Sequence, residues 1–307
     1  MPTDLTARFQ EARRDRALAV LEGFHAVKHA LRFGAEVDLI VSRDPVQLRR
    51  LAGDLAPDIE EPLLAQVVPV DPDVFARLSP TPPETGVLAI ARRRLVAAAE
   101  LLAAPRQAPL VFLERPTHLG NVGAVIRVAA AAGAAGVVTT GPHDPWHPSA
   151  IRGAAGLHYA LPVARVDTVD GAEILLAAPG NRAGAPGSRA GTLGSRAGMP
   201  GSRAGAPSGG EVVAPPTIHG PLLALHPEGE PLLPGAVPSG AVLAFGSERR
   251  GLSAELLARA DRRVGIPMAA GVSSLNLATA VAVVLYTWRL TAGAGPAGST
   301  AGPPAGR

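Results

Sequence analysis

Ile266 to Trp288 reads IPMAAGVSSLNLATAVAVVLYTW: a short extended piece, a loop of small residues, then a long apolar run that opens on Ser274-Leu275-Asn276. An asparagine at the head of a helix of Ala, Val and Leu needs a hydrogen-bond partner, and the small-residue loop before it is a natural site. Two other stretches have the same build. Leu113 to Arg127 and Phe245 to Leu252 each leave an apolar strand for a polar, glycine-bearing loop. The fold depends on whether the three loops meet.

Outward from these stretches, the second half of the chain alternates strands and helices. Leu110–Leu113, Val137–Thr140, Leu161–Val166, Pro221–Leu225, Ala241–Phe245 and Arg263–Pro267 read as strands, with helices over Val122–Ala132, Ile151–Gly156 and Ser253–Ala260. Strands that are apolar on both faces, separated by helices, predict an α/β fold with a parallel sheet covered on both sides. The first half reads as a smaller α/β domain. Leu5–Phe33 is expected to be helical, Val37–Val41, Val67–Val70 and Gly86–Ala91 strands, Val46–Leu55 and Pro72–Leu78 helices. The expected organisation is a small domain over 1–94, a linker over 95–109, a larger domain over 110–290 and a disordered tail over 291–307. Between 180 and 210 the pattern stops, and Arg-Ala-Gly recurs every seven residues from Arg182 to Arg203 among Gly, Ser and Pro. With no apolar a/d positions this period is not a coiled coil, and it reads as a disordered insertion.

Composition narrows the classes. The chain has 307 residues, 47% of them apolar, enough for two cores. Lys and Arg exceed Asp and Glu by 29 to 26, and Lys28 is the single lysine, so the positive charge is almost all guanidinium, which suits bidentate phosphate contacts. The absence of cysteine excludes disulfides, thiolate nucleophiles and cysteine-based zinc sites. The amino-terminal segment lacks the apolar core of a signal peptide, and Leu275–Trp288 is too short for a membrane span; a cytoplasmic location is expected. No dinucleotide fingerprint, P-loop or nucleophile elbow is present, and His143, His147 and His158 around Trp146 lack acidic partners at ligand spacing, so no metal is expected.

At 100° per residue, Gly120, Gly123 and Arg127 share one helix face, opposite Val122, Val125, Ile126 and Ala129. The second face is core. The first is bare but for the guanidinium, and another chain or a nucleotide could approach it. Asn121 stands where an N-cap is expected, and serves either as a cap or as a functional group. Gly246 to Leu252 is a ligand loop at a strand's carboxyl end or a solvated turn around Glu248.

Together the three stretches resemble the SpoU (TrmH) family of SPOUT methyltransferases, which transfer a methyl group from S-adenosylmethionine to a ribose 2′-hydroxyl of RNA. Asn121, Gly123 and Arg127 match the first motif; Gly246, Glu248, Gly251 and Leu252 the second; Ile266, Pro267, Met268, Ser274, Leu275 and Asn276 the third. Leu119 stands where the family has proline, and Arg249 where it has a small residue. In the first half, Leu21 to Val27, Leu78 to Thr81 and Gly86 to Ala89 resemble the small RNA-binding domain many members carry. The resemblance implies a trefoil-knotted parallel-sheet methyltransferase domain, a homodimer, and an rRNA or tRNA substrate, with rRNA favoured slightly. It implies cofactor contacts at the backbone of Gly246, Ile266 and Leu275, and a catalytic set of Arg127, Asn121, Glu248, Ser274 and Asn276. The alternative is a catalytically inactive RNA-binding protein that keeps the knotted fold.

Overall fold

The computed structural model describes residues 4–166 and 219–292. The expected insertion over 180–210 and residues 293–307 of the expected tail lie outside the described residues.

Helix α1 (Leu5–Arg14) starts on Asp4, whose carboxylate accepts from the Thr6 N–H at 2.9 Å. Asp15 then turns the chain extended. The single helix expected over Leu5–Phe33 is therefore two helices with a strand between them: β1 (Leu18–Glu22) and α2 (Phe24–Arg32). The reason is tertiary. Leu18-Ala-Val-Leu-Glu satisfies helical spacing as well as a buried strand, and a partner strand β4 (Val87–Arg92) takes it antiparallel, Leu18 to Arg92 through Glu22 to Leu88. Strands β2 (Val37–Ser42) and β3 (Val67–Pro69) complete a four-stranded sheet of order β1-β4-β2-β3. Helices α3 (Pro45–Leu55), α4 (Glu60–Gln66) and α5 (Pro72–Arg77) connect them.

The segment expected as a plain linker contains α6 (Ala98–Ala103), whose Ala98 and Leu102 are buried against the second sheet. That sheet has β5 (Leu110–Leu113), β6 (Gly136–Thr139), β7 (Val163–Arg165), β8 (Leu222–Pro231), β9 (Val242–Phe245) and β10 (Arg262–Gly265), in the order β10-β8-β9-β5-β6-β7. Each of its pairings is parallel. Every residue of β5, β6 and β9 is buried, as strands covered on both faces require. One face carries α7 (Leu119–Ala132) and α10 (Leu277–Ala292); the other carries α6 and α9 (Ala254–Arg259). Helix α10 runs through Thr291 and Ala292, two residues into the expected tail.

The two halves share a core. Trp146, Ile151 and Tyr159 come from the second half, around α8 (Pro148–Gly153), and pack with Leu21, Phe24, Val27 and Ile40 of the first. Arg94 ties them again, donating to the Tyr159 carbonyl at 2.7 Å and the Phe33 carbonyl at 2.8 Å. The smaller half is thus fixed to the larger by buried side chains.

Candidate functional site

Register decides what meets at the carboxyl end of the parallel sheet. Leu113 of β5 pairs with Phe245 of β9, so the loops entered at Glu114 and Gly246 leave the sheet side by side. In an open α/β sheet such a crevice beyond the strand ends is where ligands sit. Gly246 makes the loop possible: a Cβ there would lie 1.9 Å from the Gly251 carbonyl carbon, so only glycine lets the loop fold back on itself. A Ser247–Gly251 bridge closes that fold.

From this end three loops join through side chains. Glu248 takes three hydrogen bonds, from the Thr117 N–H at 2.9 Å and hydroxyl at 2.6 Å on one oxygen, and from the Asn121 amide at 2.7 Å on the other. Asn121 passes the connection on, its carbonyl oxygen accepting from Asn276 at 3.1 Å. Asn276 in turn accepts from the Ala278 N–H at 2.9 Å and caps α10. Partial burial pushes the Glu248 carboxyl up, but the bonds from Thr117 and Asn121 outweigh it and bring it down to about 2. Of the two roles open to Asn121, capping α7 is not the one it takes: it lies inside the first turn, His118 is the N-cap position, and the Asn121 amide is spent on Glu248. Leu119, in place of the family's proline, begins the helix and packs on the core.

Beside this chain of bonds opens a cavity of about 720 Å³. Of the residues expected from sequence, Asn121, Gly246, Glu248, Ile266, Ser274, Leu275 and Asn276 line it, as does Arg249. Its apolar floor includes Phe245, Val264, Leu277 and Ala280. Sequence reading missed Leu225, His226 and Pro227, which enter because β8 breaks register against β10: Arg263 pairs with Ala224, but the next residue, Val264, pairs with Glu230. Thr117 was missed as well, although a threonine just ahead of a helix start is a recognisable loop-fixing signal.

Arg127 does not line this cavity. It follows Asn121 by six residues, about 9 Å along the axis of α7, and opens onto a second cleft, of about 460 Å³, with Gly23, Phe24, His25, Thr81, Thr85 and Arg152. The glycine face of α7 is only partly open. A Cβ on Gly123 would lie 2.2 Å from the Ala150 carbonyl oxygen, so α8 covers the face at that turn, whereas a Cβ on the exposed Gly120 would meet nothing within 4 Å. His158 is fully buried, with Nε2 2.7 Å from the Pro145 carbonyl oxygen. No cluster of three metal-ligating side chains occurs among the described residues. No helix among them is long and apolar enough to cross a membrane.

The SpoU rRNA Methylase family pattern matches residues 108–182 and 216–286. A 23S rRNA (uridine(2479)-2′-O)-methyltransferase of Streptomyces viridochromogenes is 28% identical over 178 residues, 57% of this chain and half of the relative's own length. A 23S rRNA (guanosine(2553)-2′-O)-methyltransferase of Bacillus subtilis is 25% identical over 271 residues, 88% of each chain. Among solved structures, the SpoU methyltransferase AviRb from Streptomyces viridochromogenes, crystallised with AdoMet, superposes with a TM-score of 0.65 at 22% identity, covering 94% of this chain and 99% of that one. An AdoMet-bound rRNA methyltransferase from Sinorhizobium meliloti superposes with a TM-score of 0.61 at 23% identity over 92% of each chain. At these identities the structures establish a shared α/β fold.

Proposed function

Since the chain belongs to the SpoU rRNA methylase family, we propose that it methylates a ribose 2′-hydroxyl of structured RNA using S-adenosylmethionine, ribosomal RNA ahead of transfer RNA. The observation that carries this reading is the single hydrogen-bonded chain Thr117–Glu248–Asn121–Asn276, which fixes three loops around a largely apolar cavity of about 720 Å³. That volume is in the range of small-molecule sites. Gly246, Ile266 and Leu275 would hold the cofactor through their backbone, over the Phe245 and Leu277 floor. When bound it supplies an activated methyl on a sulfonium.

The protein's share of the chemistry is placement and charge. Glu248, Asn121, Ser274 and Asn276 fix the loops and the ribose. Arg127 stabilises the developing alkoxide and orients the adjacent phosphate; a guanidinium is too weak an acid to serve as the base, so phosphate or water takes the proton. Because Arg127 opens away from the cavity of its own chain, we place it on the RNA bound at the cavity of a second copy, in a homodimer. An exposed apolar stripe supports a dimer: Val283, Tyr286 and Leu290 follow one face of α10. The knot belongs to the same reading, with the loops after β9 and β10 forming its crossing, as does the division into an RNA-binding 1–94 and a catalytic 110–290. The reading places the enzyme in the cytoplasm, without metal.

Two variants test this together. Ala269→Trp fills the loop before Asn276 and is expected to abolish calorimetric S-adenosylmethionine binding while the fold persists. Arg127→Ala is expected to keep cofactor binding and lose methyl transfer. Mixing the two inactive proteins under subunit exchange restores part of the activity if the sites are shared. Near-normal turnover by Arg127→Ala refutes its role, and absence of cofactor binding by the wild type refutes the enzyme reading in favour of an inactive RNA-binding protein.

A further inference from the structure

We propose that the cleft on the seam between the two halves is a phosphodiester-binding subsite, in which the RNA backbone is gripped at once by His25 and Lys28 of α2 and by Arg127 of α7. The proposal rests on the RNA reading above and adds where the strand runs: over the seam, not over the outer face of the four-stranded sheet.

Charge is the first observation. Arg127 makes no hydrogen bond or ion pair among the described residues, although both its neighbours in the cleft wall, Glu22 and Arg152, do. Burial and then the positive charges of Lys28 and Arg127 push the exposed His25 down, and Lys28 is pushed down by burial and by Arg32, with Asp58 opposing and Arg127 adding to it. These groups therefore lie close enough to repel one another. The nearby carboxylates are largely committed. Glu22 is buried and held by Arg13, Arg152 and Ser79, and Asp58 is clamped by two nitrogens of Arg32 at 2.7 and 2.5 Å. Glu84, exposed on the rim, is the carboxylate left over. Bringing like charges together with less counter-charge than cation raises the free energy of the empty cleft, and a polyanion relieves it.

Shape and rigidity are the second. About 460 Å³ lies between the first turn of α2, the Thr81–Thr85 turn and α7, room for one or two backbone units of a nucleic acid. The walls belong to different halves, yet they are locked: His29 bonds the Ala155 carbonyl at 2.6 Å, Glu22 bridges Arg13 to Arg152, and Trp146, Ile151 and Tyr159 sit in the small half's core. The spacing of the cations is thus set before RNA arrives, which lowers the ordering cost of binding. Lys28 does not itself line the cleft, but its ammonium stands 6.0 Å from the centroid of Phe24, a residue of the cleft wall, and so lies beside it.

Radiolabelled, protein-free 23S ribosomal RNA transcript in filter-binding assays over a salt series tests the proposal. His25→Ala and Lys28→Ala are compared with Arg50→Ala, an exposed arginine on α3. Lys28→Ala is expected to weaken RNA binding several-fold and to reduce the salt slope by about one. His25→Ala is expected to weaken it less, Lys28→Arg to restore it, and Arg50→Ala to leave it unchanged. Cofactor affinity by calorimetry is expected to be the same in all. If Lys28→Ala and His25→Ala bind the transcript with wild-type affinity and slope, the subsite is wrong while the enzyme reading stands. If wild type neither binds nor methylates RNA, both fall.

Discussion

Glu248→Gln removes one charge and almost no volume, yet the geometry predicts a measurable effect. Both ends of the polar chain are pinned by backbone donors: the Ala278 N–H fixes which end of the Asn276 amide carries oxygen, and the Thr117 N–H points at Glu248. Asn276 must therefore present its NH₂ to Asn121, and Asn121 must present oxygen to Asn276 and NH₂ to Glu248. Residue 248 has to accept on both of its atoms, which an ionised carboxylate does and an amide cannot. With glutamine one donor faces another, wherever the amides turn. Glu248 and Asn276 are exposed, so water takes up part of the loss and the cost is about 1 kcal/mol, which lowers the melting temperature by roughly 2–4 °C in a domain of this size. The loops it joins line the cavity, so S-adenosylmethionine affinity by calorimetry is expected to fall about fivefold, in line with the same free energy. Because the folded carboxyl sits near 2, below the ordinary 4.5, its contribution is complete above pH 4.5 and is lost as pH falls toward 2. The glutamine variant lacks that part of the acid sensitivity. A variant with wild-type melting temperature and cofactor affinity would refute the amide-orientation argument.

Two further outcomes follow from packing and burial. Gly123→Ala places a Cβ 2.2 Å from the Ala150 carbonyl oxygen, so α7 and α8 must separate; a loss of about 1–3 kcal/mol by urea denaturation is expected, with unchanged stability contradicting the close packing. Burial holds the His158 imidazole down at about 4, so it stays neutral in the folded protein while the unfolded chain takes up a proton below about 6.5. Stability is then full above pH 6.5 and falls by about 3 kcal/mol as pH drops toward 4. Denaturation midpoints that show no fall over this range in wild type, or the same fall in His158→Gln, would contradict that assignment.

The site was legible in the sequence to the extent that it lies in contiguous loops. Asn121, Glu248 and Asn276 each stand in the loop or first turn that follows a sheet strand, so the side chains that meet were visible before their meeting was, and seven of the eight expected site residues line one cavity. What stayed hidden depends on distant partners. Leu18 to Glu22 fits both helical and strand spacing, and β4, more than sixty residues away, selects the strand. The excursion of Leu225 to Pro227 into the cavity arises from a register break against β10, which leaves no period in the sequence. Gly123 looked like part of an opening for a ligand because nothing local announces that α8 packs on it. Likewise, Trp146 and Tyr159 joining the small half's core is a contact between segments that no local pattern connects.

The most direct test of the central claim is the identity of the product. Purified protein is incubated with methyl-labelled S-adenosylmethionine and unmodified ribosomal RNA, and the RNA is digested to nucleosides and resolved by mass spectrometry. The account predicts label in a 2′-O-methylated nucleoside, absent with Arg127→Ala. Label in a base-methylated nucleoside, or in no nucleoside of ribosomal or transfer RNA, would contradict it.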